Sequence, residues 1–292
     1  MLRAHRPSKF VMIFYRMDTP FVITMCNASD PPHPNTENYK KTLETNGWNY
    51  VILGRGTEWT GFAGRLRLYH SEISKMDPEQ LIVVTDARDV LCIAPPKNFR
   101  QAFNRFGKDL LVSMELFAEG FMTYYPDKEY GQVTYLDKYF AHYKIDITNI
   151  VRKYVNAGLI AGKAKDVLKL YEWSTENHFT DDQKALGAYM NAFPERVAAD
   201  FDAAVLHTSV AFLNGSVNNK YQKLDSPTFR QLLGLESFFL HIPGLAISKG
   251  QHFAYTSISD FVVTSWNRKR LCDIYPEYSF ESLKFQEYMK FE

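Results

Sequence analysis

Apolar and polar positions along the first third of the chain fall into alternating strand-like and helix-like segments. FVITMC (21–26) predicts a strand, TENYKKTLETNG (36–47) a helix ending at Gly47, and NYVILG (49–54) a second strand. GRLRLYHSEISKM (64–76) has helical spacing, and QLIVVTD (80–86) is a continuous apolar run closed by a turn signal. A run without alternation suits a central strand of a parallel sheet, covered on both faces. The β-α-β-α-β order predicts a doubly wound α/β start, whose ligands bind at the carboxyl ends of the strands. Asp86 and Asp89 of VTDARDVL lie at such an end.

Further on, DLLVSMEL (109–116) predicts a strand, and the aromatic stretch from 117 to 143 has no clean period. YVNAGLIAGKAKDVLKLYEWSTEN reads as a glycine-containing turn and a short strand leading into a helix from about Lys163. TDDQKALGAYMNAF (180–193) predicts another helix. From Asp200, FDAAVLHTSVAFLNGSV reads as a strand pair turning at Asn214 and Gly215, and SFFLHIPG (237–244) as a strand running into a loop. The aromatic-rich last forty residues suggest packing helices. There is no internal repeat, low-complexity segment or obvious linker, so a single domain is expected.

Composition removes several function classes. With 292 residues, 46% of them hydrophobic, the chain has ample material for a large core. Thirty-four Lys and Arg against 33 Asp and Glu leave a net charge of +1, so no global field favours nucleic acid or an anionic membrane, and any anion must be met locally. Cys26, Cys92 and Cys272 are odd in number and lack CxxC spacing. That argues against a disulfide framework or a zinc site and suits thiols in a reducing compartment. The apolar stretch FVMIFYRMDTPFVITMC (10–26) is interrupted by Arg16, Asp18 and Pro20, making it a poor signal peptide and no membrane span; a cytoplasmic location is expected. The sequons at Asn27 and Asn214 are then chance matches.

Four stretches carry candidate chemistry. Asp86 and Asp89 on one turn suit a divalent cation, because hard cations prefer oxygen ligands and the carboxyl edge of a sheet leaves room for a phosphate. A lone DxxD is also what a solvated turn looks like, and by itself it does not separate a sugar-nucleotide enzyme from a phosphatase or a simple cation site. In TDDQ, Thr180 and Gln183 have capping-box spacing, which holds Asp181 and Asp182 in the first helical turn, where the dipole favours their ionised forms. A carboxylate fixed there could orient an acceptor hydroxyl or act as its base. In YVNAGLIAG, Asn156 stands among small residues that let a ligand approach the backbone. In LHIPG, His241 ends a strand, a position that serves structure as readily as ligation.

In combination these pieces resemble one family: the glycosyltransferase domain of procollagen lysyl hydroxylases, with the related collagen glycosyltransferases and glycosyltransferases of large algal viruses. The matching stretches are YVILGRGTEW (50–59), VVTDARDVL (83–91), KYVNAGLIAG (153–162), DDQ (181–183), FLNGSV (212–217) and LHIPG (240–244), in the family's order. The resemblance implies an α/β, single-domain GT-A fold: a Rossmann-like, mostly parallel sheet flanked by helices. That domain would span 1–292, with a donor-nucleotide half over about 1–110 and an acceptor half over about 111–292. It also implies Mn²⁺, with Mg²⁺ as a substitute, a UDP-sugar donor, and a glycan or glycoprotein acceptor, such as a viral capsid-protein glycan.

Position by position, the resemblance makes Asp86, Asp89 and His241 the metal ligands, with Asp86 also near the ribose. It assigns Trp59, Arg65, Asn156, Gly158 and Gln183 to the donor pocket, and Asp181 and Asp182 to catalysis. Asn214 and Gly215 complete a motif of structural character. The family has an aromatic residue just before the second Asp; here Arg88 stands there and could stack on uracil or bind a phosphate. Its HGNGP appears only as HIPG, keeping His241 and Gly244, with Lys249 near enough in sequence to neutralise diphosphate charge. No HxD motif points to an iron site, so lysyl hydroxylation is not expected. Retention or inversion is left open by these residues, as is the choice among glucose, galactose and xylose. A sugar-nucleotide-binding module without catalysis, or another metal-dependent nucleotide enzyme, is the competing expectation.

Overall fold

The computed structural model describes residues 19–27, 34–88, 90–115, 136–146, 150, 152, 154–208 and 237–241. In chain order its elements are β1 (Phe21–Met25), α1 (Pro34–Thr45), β2 (Asn49–Leu53), α2 (Gly61–Ile73), β3 (Leu81–Thr85), β4 (Val90–Cys92) and α3 (Phe99–Asn104). These are followed by β5 (Leu110–Glu115), α4 (Asp137–Tyr143), β6 (Tyr154–Lys163), α5 (Ala164–Glu176), α6 (Asp182–Ala192), a short 3₁₀ turn (Pro194–Arg196), β7 (Val197–Asp200), β8 (Leu206–Thr208) and β9 (Phe239–His241).

Six strands form one sheet in the order β2-β1-β3-β6-β5-β7. Every neighbouring pair is parallel except those made by β6, which runs antiparallel between β3 and β5. The carboxyl ends of β1, β2, β3 and β5 therefore share one edge with the amino end of β6. This is the expected α/β class with a mostly parallel sheet between helices.

The unbroken apolar run of β3 has a direct cause. Ile82 and Val84 face a core that contains Leu66, Tyr69 and Ile73 of α2, Val167 and Leu170 of α5, and Leu186 and Met190 of α6. Leu81 and Val83 face the other core, with Tyr39 and Leu43 of α1 and Phe99 of α3. Both faces of the strand are dry, so neither parity of position can be polar. Each such side chain, fully buried, stabilises the fold by roughly 1.5–3 kcal/mol.

A second sheet, β4-β9-β8, lies against this core. The Trp48 ring packs edge-on to Phe99 at 5.3 Å and to Phe239 of β9 at 4.8 Å, and its indole N–H donates to the Ala94 carbonyl at 2.8 Å. These contacts seat β9, and with it His241, opposite Val90 on one side and Thr208 on the other.

Several boundaries move from the sequence expectation. The helix expected over 36–47 runs Pro34–Thr45, with Gly47 in the left-handed region at φ 74° just beyond its end. The expected short strand near 154 is ten residues long. The strand expected from Asp200 is instead a turn over 201–205: Asp200 caps it by accepting the backbone N–H groups of Ala204, Val205 and Leu206 at 2.8–2.9 Å. Its flanking strands join different sheets, β7 the larger and β8 the smaller. Asn214 and Gly215, the residues 117–135 that hold most of the aromatic stretch, and the last forty residues lie outside the described residues. Among the described residues no helix is long and apolar enough to cross a membrane.

Asp200 is 1% exposed and satisfies three main-chain donors at once. Asp200→Ala should cost about 3 kcal/mol by leaving those donors buried and unmatched. Urea unfolding of the two proteins measures this directly.

Candidate active site

The end of β3 is held from three sides. Thr24 and Tyr69 hydroxyls donate to the Thr85 carbonyl at 2.9 and 3.1 Å, and the Tyr39 hydroxyl is 2.9 Å from Thr85 Oγ1. The next backbone N–H, that of Asp86, donates to the Gly158 carbonyl at 3.0 Å, carrying the β3–β6 ladder one residue past the strand. Asp86 thus emerges at the shared carboxyl edge with its main chain fixed.

Its side chain joins residues from three other elements. Oδ1 pairs with Arg65 Nη1 on α2, and Oδ2 is 3.4 Å from Nε2 of His241 on β9. The other arm of the Arg65 guanidinium pairs with Asp182 at the start of α6. Burial disfavours the Asp86 charge, but Arg65 and His241 outweigh it and hold the carboxyl well below the ordinary carboxylate range. Burial likewise works against the Arg65 charge, and Asp86 reverses it, so the guanidinium is held even more firmly protonated.

Trp59 and Phe62 connect this cluster to the surface. They are 45% and 36% exposed, their rings meet edge to face at 5.6 Å, and the Arg65 guanidinium lies 5.1 Å from the Phe62 ring centre. A cation over an aromatic face gains about 0.5–2 kcal/mol as it becomes desolvated.

A second polar group lines the same edge. Asn156 Nδ2 donates to Glu115 Oε2 at 3.0 Å, Gln183 Nε2 donates to Glu115 Oε1 at 3.4 Å, and Asn156 Oδ1 accepts the Gly158 N–H at 2.8 Å. Burial pushes the Glu115 carboxyl up to about 7 against the pull of those two amides and of His241. Sequence reasoning missed Glu115. Its signal was present, a carboxylate closing the buried run LLVSME, but the strand was expected to continue through residue 116.

Gly158 has an unexpected neighbour. The β5–β6 register passes from Val112 opposite Ile160 to Ser113 opposite Asn156, so Ala157, Gly158 and Leu159 have no opposite number on β5. In this bulge the missing Gly158 side chain leaves room for the His241 ring; a Cβ there would lie 2.1 Å from Cε1.

The acidic helix start divides its two carboxylates. Asp181, rather than Thr180, is the N-cap of α6: its Oδ1 accepts the Lys184 N–H at 2.8 Å, because the helix begins at Asp182, two residues later than expected. Asp182 turns toward Arg65. Arg88 stands apart, exposed, donating to Asn27 Oδ1 at 3.2 Å. Asp89, Gly244 and Lys249 lie outside the described residues. Among the described residues, then, the structure gathers Arg65, Asp86, Asp182 and His241 into one cluster and Asn156, Gly158 and Gln183 beside it around Glu115.

A carboxylate oxygen and an imidazole nitrogen facing each other at 3.4 Å fit a shared cation, since two donors at metal–ligand distances of about 2.1 Å stand roughly 3 Å apart. Among the described residues no group of three or more His, Cys, Asp or Glu side chains forms a metal site.

The model of the PLOD GT domain family matches residues 21–214, and the chain belongs to that family. It is a glycosyltransferase domain, with the mostly parallel α/β sheet expected of the GT-A type. Among solved structures it is similar to a glycosyltransferase involved in the glycosylation of the major capsid of PBCV-1 (14% identity, 78% of this chain and 95% of that one, TM-score 0.41). It is also similar to apo mouse xyloside xylosyltransferase 1 (10% identity, 76% and 97%, TM-score 0.42). No curated protein matches the chain. Family membership rests on the sequence match, since structural likenesses this loose carry no weight of their own.

Gly158→Ala should expel the His241 ring and lower stability by about 1–3 kcal/mol, the usual cost of overpacking, seen as a reduced unfolding midpoint. Glu115 gives a pH signature. Its folded pKa of about 7 lies above the ordinary 4.5, so the stability it contributes is complete below 4.5 and lost as pH rises through 7. Thermal unfolding of the donor-free protein should show wild type losing ground to Glu115→Gln between pH 5 and pH 8.

Proposed function

We propose that the chain is a metal-dependent glycosyltransferase that moves glucose, galactose or xylose from a UDP-sugar to a hydroxyl of a glycan acceptor, a viral capsid-protein glycan being one acceptor its kinship admits. The observation that carries this reading is the convergence of Asp86 and His241 across 3.4 Å at the carboxyl edge of the sheet, with Arg65 and Asp182 beside them. Open α/β sheets bind their ligands at this edge. The whole chain would act as one domain, with Arg65 and Asp86 from its donor half and Asp182 and His241 from its acceptor half.

Asp86, His241 and Asp89 would hold Mn²⁺ or Mg²⁺, which when bound supplies Lewis-acid stabilisation of the departing diphosphate. Arg65 brings a second positive charge to the same edge, and Lys249 and Gly244, which follow β9 in sequence, would meet the diphosphate. Trp59 offers an exposed aromatic face at the rim, and Arg88 an exposed guanidinium for the uracil or a phosphate. Asn156, Gln183 and Glu115 bring together amide and carboxyl groups of the kind that suit sugar hydroxyls, and Gly158 leaves the space beside them to the His241 ring.

An inverting course needs a base opposite the leaving group, and Asp181 and Asp182 are the candidates. Asp181 has one oxygen engaged in the helix cap, while Asp182 is oriented by Arg65. A retaining course needs no such base, because the departing phosphate takes the acceptor proton. The buried thiols of Cys26 and Cys92 suit a reducing cytoplasm.

The test is UDP release from UDP-glucose, UDP-galactose and UDP-xylose, with Mn²⁺ and then with EDTA. Release from one donor is expected, abolished by EDTA, by Asp86→Asn and by Asp89→Asn. Asp182→Asn should keep UDP binding and lower turnover. UDP binding without release from any donor, with a range of glycan acceptors supplied, would reduce the protein to a binding module. Absence of UDP binding would overturn the reading.

A further inference from the structure

We infer that Ser113 and Thr208 are positioning residues for His241: a one-way chain of buried hydroxyls fixes the imidazole hydrogen on Nδ1 and directs the Nε2 lone pair at Asp86. The inference rests on the reading of Asp86 and His241 as cation ligands.

The chain begins at the Asn156 main-chain carbonyl, which can only accept. Ser113 Oγ donates its hydrogen to that oxygen at 3.2 Å. A hydroxyl has one hydrogen to give, so Ser113 Oγ then acts toward Thr208 as acceptor, and Thr208 Oγ1 donates to it at 2.9 Å. The Thr208 hydrogen is thereby committed as well. What Thr208 Oγ1 presents to His241 Nδ1, 3.4 Å away, is a lone pair, and the ring nitrogen must bring the hydrogen. Ser113 and Thr208 are completely buried and His241 is 2% exposed, so bulk water does not compete for these groups.

A neutral imidazole has a single N–H. With that hydrogen on Nδ1, Nε2 is the acceptor and faces Asp86 Oδ2 at 3.4 Å. Two acceptors facing one another are matched by a divalent cation held between them. Fixing the far nitrogen in this way is how neighbouring groups set the tautomer and aim of a ligating histidine. The fold builds the relay across both sheets. Ser113 pairs with Asn156 at the β5–β6 bulge, and Thr208 pairs with His241 between β8 and β9. Nothing in the local sequence around Ser113 or Thr208 marks them for this part.

The experiment compares full-length wild type with Thr208→Val, which keeps the shape and removes the acceptor, and Thr208→Ser, which restores it. Histidine-selective ¹⁵N NMR of the metal-free proteins, above the ordinary imidazole pKa of about 6.5, reads the tautomer, with His241→Asn assigning the signal. Wild type and Thr208→Ser should show Nδ1–H, and Thr208→Val should shift toward Nε2–H. Titration with Mn²⁺ alone, followed by its EPR signal, should show binding weakened about 10–100-fold in Thr208→Val and near wild type in Thr208→Ser. An Nε2–H tautomer in wild type, or a Thr208→Val protein unchanged in both readouts, would overturn the inference while wild-type Mn²⁺ binding kept the metal reading intact. A tautomer shift in a protein whose wild type binds no Mn²⁺ would uphold the hydroxyl relay and refute the metal reading. Ser113→Ala, which frees the Thr208 hydrogen to point at Nδ1, should reproduce the Thr208→Val shift if the relay is directional.

Discussion

The site depends on one guanidinium between two carboxylates. Arg65 reaches from α2 to Asp86 at the end of β3, 21 residues on, and to Asp182 at the start of α6, 117 residues on. Two negative side chains at one edge of a sheet would otherwise repel, and each would be costly to hold partly out of water. Arg65 offsets both costs, and its planar fork suits two acceptors at once where a lysine would engage them as a point charge. The Phe62 ring beneath it limits where the guanidinium can go. The acidic edge is therefore assembled before any ligand arrives.

A second constraint is space. The three β6 residues without an opposite number on β5 turn Asn156 toward Glu115 and open a place for the His241 ring over Gly158. One irregularity in the longest strand thus sets up both halves of the site, the carboxylate–imidazole pair and the amide-lined carboxyl group beside it. A regular β6 would have presented side chains on a fixed alternation and left no room for a ring from another sheet.

Much of the site was readable in the residues. Asp86 stands out because a carboxylate after five buried positions, four of them apolar, has few reasons to be there. The central strands were readable for a related reason: a strand dry on both faces reads as a near-continuous apolar run. Glu115 escaped because the strand was expected to run through 116, which made its carboxylate an apparent interior one rather than a group at the edge of the sheet. The helix cap moved from Thr180 to Asp181 because both can accept a backbone N–H, and local sequence does not choose between them.

By itself, then, the sequence determined the α/β class and the family and marked Asp86 at the carboxyl edge, because burial periodicity and residue type are local properties. Tertiary structure alone decided which of them meet. Arg65 touches Asp182 across 117 residues, where α2 and α6 pack on one face of the sheet, and Thr208 approaches His241 across 33 through the pairing of β8 with β9. Register is fixed by the packing of whole faces rather than by any residue at the contact, so these meetings leave no mark in the neighbouring sequence.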